Sequence, residues 1–288
     1  MLELKLDNVS KIYGRHRAVD GIAYILSHGV YGLLGANGAG KTTLLRMICG
    51  ILEVTEGRIL CEGTEIRKMG AEYRRLLGYL PQNFGYYPEF TARKFLMYLA
   101  ALKAIPKREA ADKVEELLRL VDLEQVKDKK VKTFSGGMVR RLGIAQALLG
   151  EPEILILDEP TAGLDPKERI RFRNIISALS KDRIIILSTH IVSDVEYIAD
   201  EILLMKEGAL LAAGDMGRML EMARGKVWEC IVKPEDTERY QAYFNVSNLR
   251  NTEEGVRLRI VSDTRPMEEA QPADPDLEDV YLYHFRER

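Results

Sequence analysis

The run Gly35-Ala36-Asn37-Gly38-Ala39-Gly40-Lys41-Thr42 has the composition of a phosphate cradle. Bare backbone, at Gly35 and Gly40 above all, can wrap closely round anionic oxygens and present N–H groups at a helix N-terminus, where the dipole favours negative charge. Lys41 would bring a point charge to the β and γ phosphates of a nucleotide, and the Thr42 hydroxyl would reach Mg²⁺. Further along, Asp158 closes the aliphatic run Ile154-Leu155-Ile156-Leu157, where an unpaired carboxylate is costly unless it faces a cation. Mg²⁺ is the natural partner. Glu159 beside it could polarise a water for attack on a γ phosphate, since phosphoryl transfer needs positioning and charge stabilisation more than covalent chemistry. A glycine loop alone admits kinases, GTPases and many other ATPases. Ser135-Gly136-Gly137, a short helix ahead of the acidic pair, excludes most of these and points to a nucleotide site shared between two molecules.

Strands and helices must hold these residues in place. Val30-Tyr31-Gly32-Leu33-Leu34 reads as a buried strand feeding the glycine loop, and Thr42 to Cys49 has Leu44, Leu45 and Ile48 at helical spacing, with Gly50 as a C-cap. Ile154 to Leu157, a helix from Pro166 to about Leu179 and the strand Ile184-Ile185-Ile186-Leu187 have the spacing of a βαβ unit, which joins parallel strands right-handedly. Asp165 as N-cap, Pro166 at the first helical position and Glu168 at the third mark the start of that helix. Its Arg169, Arg171 and Arg173 read as a solvated face. Asp158, Glu159 and His190 then emerge at the carboxyl ends of parallel strands, as the glycine loop does, on the edge where open α/β sheets bind ligands.

Residues 1 to about 29 form a β region in which Leu2, Leu4 and Leu6 alternate with charged residues like an edge strand, with a second run near Ile22 to Leu26. From Thr91 to about Leu149 the pattern is helical. Phe95, Leu96, Leu99 and Leu102 make one amphipathic stripe, and Val114, Leu117, Leu118 and Val121 a second, beyond Pro106. Past about Gly214 two short alternating runs, Val227 to Val232 and Val256 to Val261, precede a helix capped by Asp276 that carries Leu277, Val280, Tyr281 and His284. This reads as a small α+β appendage, and it holds Trp228, the only tryptophan.

A length of 288 residues is room for about two domains, and 46% hydrophobic content is ample for a buried core. A net charge of -2 gives no cationic field, so no nucleic-acid partner is expected. Cys49, Cys61 and Cys230 are far apart and lack metal-type spacing, which predicts three buried thiols in a reducing cytosol. The N-terminus lacks the apolar core of a secretory signal, and no apolar run reaches the roughly 20 residues of a membrane-spanning helix. A membrane role is expected to be peripheral.

Residues 1–215 resemble the ATP-binding subunit of an ATP-binding cassette (ABC) transporter, with six motifs in family order. Gly35 to Thr43 matches the Walker A loop, Gln82 after Gly78-Tyr79-Leu80-Pro81 the Q-loop, and Ser135-Gly136-Gly137 the signature. Ile154 to Glu159 matches Walker B with its catalytic glutamate, Ala162-Gly163-Leu164-Asp165 the D-loop, and His190 the switch histidine. The resemblance implies an α/β fold: a P-loop NTPase core with a parallel sheet, an N-terminal antiparallel β region, a helical subdomain inserted at about 88–150, and an accessory domain at 216–288. It implies ATP and Mg²⁺ as ligands, with Lys41, Gln82, Glu159 and His190 catalytic and with Thr42, Gln82 and Asp158 around the metal. Asn37, Gly38, Ala39, Gly40 and Thr43 would hold phosphate with the rest of the loop. Tyr13, in Lys11-Ile12-Tyr13-Gly14, would stack on adenine, for which a flat aromatic face is suited.

By the same resemblance, Ser135, Gly136, Gly137 and Asp165 would face a second ATPase subunit in a homo- or heterodimer. A separate integral membrane permease would dock on the loop after Gln82 and on the helical insert, placing the chain at the cytoplasmic face of the cell membrane. Phe134 and Met138 depart from the usual Leu-Ser-Gly-Gly-Gln signature. A glutamine at the last position would complete a capping box, whereas Met138 cannot, weakening the helix start by up to about 1 kcal/mol. Met138 followed by Arg140-Arg141-Leu142, and the terminal Leu277-Glu278-Asp279-Val280-Tyr281-Leu282, are similar to ATPases of drug, antibiotic-peptide and polysaccharide exporters. Two alternatives are a soluble ABC ATPase of translation or DNA maintenance and a nucleotide-sensing subunit without turnover. Translation-type members usually carry two cassettes and chromosome-type members a long coiled coil, neither of which occurs here, and retention of Glu159 and His190 argues against the second.

Overall fold

The computed structural model describes residues 2–285; Met1 and residues 286–288, inside the ranges given above, lie outside the described residues. The chain divides into two compact units, Met1–Leu211 and Ala212–Arg288. The first begins with β1 (Leu4–Tyr13), β2 (His16–Leu26), β3 (Gly29–Leu34), α1 (Lys41–Ile48), β4 (Glu56–Cys61), β5 (Thr64–Glu65), α2 (Ile66–Met69), α3 (Ala71–Leu76) and β6 (Leu77–Leu80). A helical insert follows, α4 (Ala92–Leu102), α5 (Lys107–Leu120) and α6 (Gly136–Leu148). Then come β7 (Ile154–Asp158), α7 (Pro166–Leu179), β8 (Ile184–Thr189), α8 (Val192–Glu196), β9 (Glu201–Lys206) and β10 (Ala209–Gly214), the last of which runs across the boundary.

One sheet has the order β2-β1-β4-β5 and is antiparallel throughout. The N-terminal strand is thus an inner strand and not an edge, with Leu4 opposite both Leu26 and Cys61. Alternation reports only that one face is wet, which inner strands of antiparallel sheets share with edges. Leu4, Leu6 and Val9 are buried and Asp7 looks out to meet Arg58 at 2.8 Å. The second sheet has the order β10-β9-β3-β8-β7-β6, and β9, β3, β8, β7 and β6 run parallel. Its register sets Leu34 opposite Thr189, Leu157 opposite Leu187 and Leu80 opposite Leu157, so β3, β8, β7 and β6 finish on one edge. Every residue of β7 and β8 is buried, as a parallel strand covered on both faces requires.

In the insert, α4 buries Ala92, Phe95, Leu96 and Ala100, and α5 buries Ala110, Val114, Leu117 and Leu118. Leu102, expected in the first stripe, is exposed at the helix end, just before the chain turns through Ala104 at φ +57°. The arginines of α7 are not a free solvated face. Arg169 Nε donates to Leu164 O at 3.2 Å, Arg171 pairs with Asp122 at 3.0 Å, and Arg173 stacks on the Tyr197 ring at 4.8 Å. Residues 51–76 gave no sequence signal for β4, β5, α2 and α3, because these elements are short and β4 opens with the exposed Glu56-Gly57-Arg58.

The second unit contains α9 (Met216–Glu221), β11 (Val227–Val232), α10 (Thr237–Tyr243), β12 (Asn245–Thr252), β13 (Gly255–Val261), β14 (Gln271–Pro272) and α11 (Leu277–His284). Its antiparallel sheet has the order β12-β13-β11-β14. Cys230, Val232, Val256, Leu258, Ile260 and Ala270 form its core, with Trp228, Tyr240 and Phe244 packed against them. Helix α11 starts in a capping box between Asp276 and Asp279. Asp279, fully buried, also takes Arg259 Nη2 at 2.7 Å and the Ser247 hydroxyl at 2.8 Å. The three cysteines are buried free thiols. Among the described residues no helix is long and apolar enough to cross a membrane.

Candidate active site

The loop between β3 and α1 lines a cavity of about 510 Å³ together with Tyr13, His16, Ala18, Gln82 and Glu159. Gly35 and Gly40 are required by the protein around them, and not only by an incoming phosphate, whereas a Cβ at Gly38 would meet nothing. A Cβ at Gly35 would lie 2.3 Å from Met205 O on β9, and one at Gly40 would lie 2.1 Å from Ala18 O on β2, at a φ of +99° that L residues rarely adopt. Asn37, Gly38, Ala39, Thr42 and Thr43 line the same cavity, while Gly35 does not line it and meets the site through the bond its carbonyl accepts from Lys41. The Lys41 ammonium, nearly buried, donates to Gly35 O at 2.6 Å and Ala36 O at 3.2 Å, and lies 3.8 Å from Glu159 Oε1. Burial pushes the Lys41 pKa down, and the carboxylates of Glu159 and Asp158 oppose that shift.

At the ends of β7 and β8 the acidic pair is held from several sides. Thr42 Oγ1 donates to Asp158 Oδ1 at 3.1 Å and Ser188 Oγ to the same oxygen at 2.6 Å. Asp158 Oδ2 is buried with no hydrogen-bond partner among the described residues, which leaves it free for a cation. No cluster of three or more acidic, histidine or cysteine side chains able to hold a metal occurs among the described residues. One carboxylate and one hydroxyl are nevertheless what Mg²⁺ takes when phosphate and water oxygens complete its shell. Glu159 has a backbone φ of +49°, unusual for a side-chain-bearing residue. Its N–H donates to Ser188 Oγ at 3.1 Å, and its carboxylate lies 3.0 Å from His190 Nδ1. His190 is exposed and Glu159 buried. Tyr13, half exposed at the end of β1, stands at the cavity wall with Lys11 Nζ 5.3 Å from its ring centre.

Ser135, Gly136, Gly137 and Asp165 do not line this cavity. They sit at two adjacent helix N-termini. Ser135 Oγ accepts the Met138 N–H at 3.2 Å to cap α6, and Asp165 Oδ1 accepts the Glu168 N–H at 2.9 Å to cap α7. A Cβ at Gly137 would come within 3.2 Å of the Glu168 side chain, whereas one at Gly136 would meet open space. Glu168 does not reach back to its own cap; its carboxylate goes to Arg141 Nε, 3.1 Å away.

One buried group, noted in the sequence only for a likeness to exporter ATPases, has a role here that sequence reasoning missed. Arg140 of α6 donates through Nε to Pro160 O at 2.9 Å, through Nη1 to Gln82 O at 2.9 Å and Pro81 O at 3.4 Å, and through Nη2 to Asp158 O at 3.0 Å and to Glu159 O. Burial pushes its pKa down, against the pull of Asp158 and Glu159. The signal available was a pair of arginines opening an otherwise apolar helix stretch, Arg140-Arg141-Leu142-Gly143-Ile144-Ala145. A second such link joins Thr161 Oγ1, just after Glu159, to the fully buried Asp194 of α8, just after His190.

Known proteins resemble this chain in sequence and fold. The family model described as ABC transporter matches residues 21–162. The uncharacterized ABC transporter ATP-binding protein YxlF of Bacillus subtilis is 37% identical over 231 residues, 80% of this chain and 77% of that protein. The bacitracin transport ATP-binding protein BcrA of Bacillus licheniformis is 41% identical over 211 residues, 72% of this chain and 68% of its own length. Among solved structures, the dimeric bacterial ABC transporter cassette MJ0796 superposes with a TM-score of 0.68 at 25% identity, over 74% of this chain and 98% of that one. A phosphate loop, an acidic pair and a histidine gathered on one parallel edge, with sequence identity at this level across most of each relative, leave one conclusion: the chain belongs to the ABC transporter family, as one of its ATP-binding, ATP-hydrolysing subunits.

Proposed function

We propose that residues 1–215 are the ATPase domain of one half of a head-to-tail dimer that powers a separate membrane exporter, with residues 216–288 as its accessory domain. The observation that carries this reading is the Glu159 carboxylate, held between Lys41 and His190 at the mouth of the phosphate loop. There Glu159 orients and accepts a proton from a water whose oxygen attacks the γ phosphorus, while the bond from that phosphorus to the bridging β,γ oxygen breaks and ADP leaves. Lys41 moves its ammonium from the Gly35 and Ala36 carbonyls towards the β and γ oxygens, and His190 steadies Glu159 and the γ phosphate. Thr42, Asp158 and Gln82 would hold Mg²⁺, which neutralises charge on the phosphate oxygens. Tyr13 takes the adenine face.

Ser135, Gly136, Gly137 and Asp165 face the nucleotide of the other subunit. Their exclusion from their own subunit's cavity, the open space at Gly136 and the dimeric state of the MJ0796 cassette support this. The partner in the membrane is an integral permease, which this chain meets at the cytoplasmic face and which exports a drug, peptide, lipid or polysaccharide. The likeness to a bacitracin transport protein supports export. The exposed aromatic cluster after Gln82, with Tyr87 and Tyr98 edge to face at 5.5 Å, supports docking beside the insert. Replacing Glu159 by glutamine tests the chemistry. ATP binding is expected to persist within about threefold while steady-state hydrolysis falls by more than about a hundredfold; equal rates for wild type and Glu159→Gln would sink the assignment.

A further inference from the structure

Arg140 is the least expected buried charge in the molecule. It is 9% exposed, yet among the described residues it makes no ion pair; its donors go to five main-chain carbonyls, those of Pro81, Gln82, Asp158, Glu159 and Pro160. Burying a guanidinium is expensive, and an apolar side chain at this site would fill the space at less cost. The pattern of acceptors shows what the charge achieves. The carbonyls belong to the two chain segments that leave β6 and β7, one carrying Gln82 and the other Glu159, and to their immediate neighbours.

At Glu159 the need for such a hold is plain. The residue sits at a φ of +49°, a conformation that persists only where the surroundings over-determine it. Its carboxylate is fixed by Lys41 and His190, its N–H by Ser188, and the carbonyls at 158, 159 and 160 by Arg140. The guanidinium fork suits this task because its donors are rigid and planar, so several carbonyls can be held at set angles at once. Lysine, a compact charge on a flexible stem, cannot reproduce that geometry.

Arg140 also lies little more than one helical turn after Ser135, the N-cap of α6. A displacement at the start of α6 is therefore carried by the helix directly to the main chain of both Gln82 and Glu159. We propose that Arg140 is a positioning residue for ATP hydrolysis, a strut that sets the backbone of Gln82 and Glu159 according to the placement of the Ser135 helix. This rests on the reading of Glu159 as the residue that orients the attacking water.

Arg140→Lys and Arg140→Gln in the full chain test it, beside wild type and Glu159→Gln. Hydrolysis at saturating ATP is expected to fall at least about tenfold in both Arg140 variants, with KM and the Kd for a fluorescent ATP analogue staying within about twofold. Methylguanidinium added to Arg140→Ala is expected to restore part of kcat without altering that Kd, a rescue that loss of general packing would not show. A kcat unchanged within twofold in Arg140→Lys overturns the proposal. So does a fall in kcat matched by an equal loss of nucleotide affinity, or the loss of a thermal transition in both variants, because each assigns Arg140 to structure alone. If instead Glu159→Gln hydrolyses ATP at the wild-type rate, the underlying reading of Glu159 fails, whatever the Arg140 variants do.

Discussion

Asp194 is completely buried, with one oxygen bonded to the Thr161 hydroxyl and the other, Oδ1, without a partner among the described residues. A buried polar group robbed of its last hydrogen bond bears its full desolvation cost. Thr161→Val keeps the shape and removes the hydroxyl, so it is expected to destabilise the protein by about 1–3 kcal/mol. The measurement is a urea midpoint that falls while the slope of the transition is unchanged. Residues of this kind mark the limit of what a sequence discloses. Lys41, Thr42, Asp158 and Glu159 could be picked out because their chemistry dictates their types and neighbours. The partners of Arg140 could not, since carbonyls are present at every position and carry no residue type to notice. The stated reason for Gly35 and Gly40 was likewise incomplete, because the contacts that forbid a side chain there come from Met205 and Ala18, remote in the chain.

Helix α6 shows how an element can carry a weak start. Ser135 caps it by accepting the Met138 N–H, but among the described residues no side chain returns a bond to the Ser135 backbone. Arg141 compensates further along, donating to Val121 O at 2.9 Å and Asp122 O at 2.7 Å and pairing with Glu168, so that α6 is pinned to the ends of α5 and α7. Met138→Gln completes the capping box and is expected to raise stability by about 0.5–1 kcal/mol, read as a higher urea midpoint. Long periodic elements such as α5, α7 and β8 were legible because hydrophobic spacing decides them. Strand β12 was not: Asn248, Leu249, Arg250 and Asn251 are exposed, so it is a strand by its pairing to β13 and not by its composition. The charged face of α7 was misread for a related cause, since spacing does not say that Asp122 and Tyr197 stand opposite it.

The molecule has two compact units, and the second carries a core of its own around Leu258 and Ile260. Leu258→Ala, at a site with no exposure, is expected to cost about 2–5 kcal/mol through lost burial and the cavity left behind. Trp228 packs against that core and is the only tryptophan, so its fluorescence reports unfolding there. The expected result is a lower midpoint by tryptophan fluorescence with nucleotide affinity unchanged.

The pairing of Arg259 with Asp279 spans 20 residues of chain, and that separation matters while the protein is being made. Strand β13 leaves the ribosome with its cation answered only by Glu229, at 3.1 Å in the finished fold. The counter-charge that becomes fully buried arrives only when α11 has been synthesised. A chain stopped before Asp279 would keep only the carboxylates of Glu229 and the more distant Asp276, 3.8 Å away, for this guanidinium and would leave the Ser247 hydroxyl without its carboxylate, so the last turns of the chain complete the charge balance of a sheet made well before them.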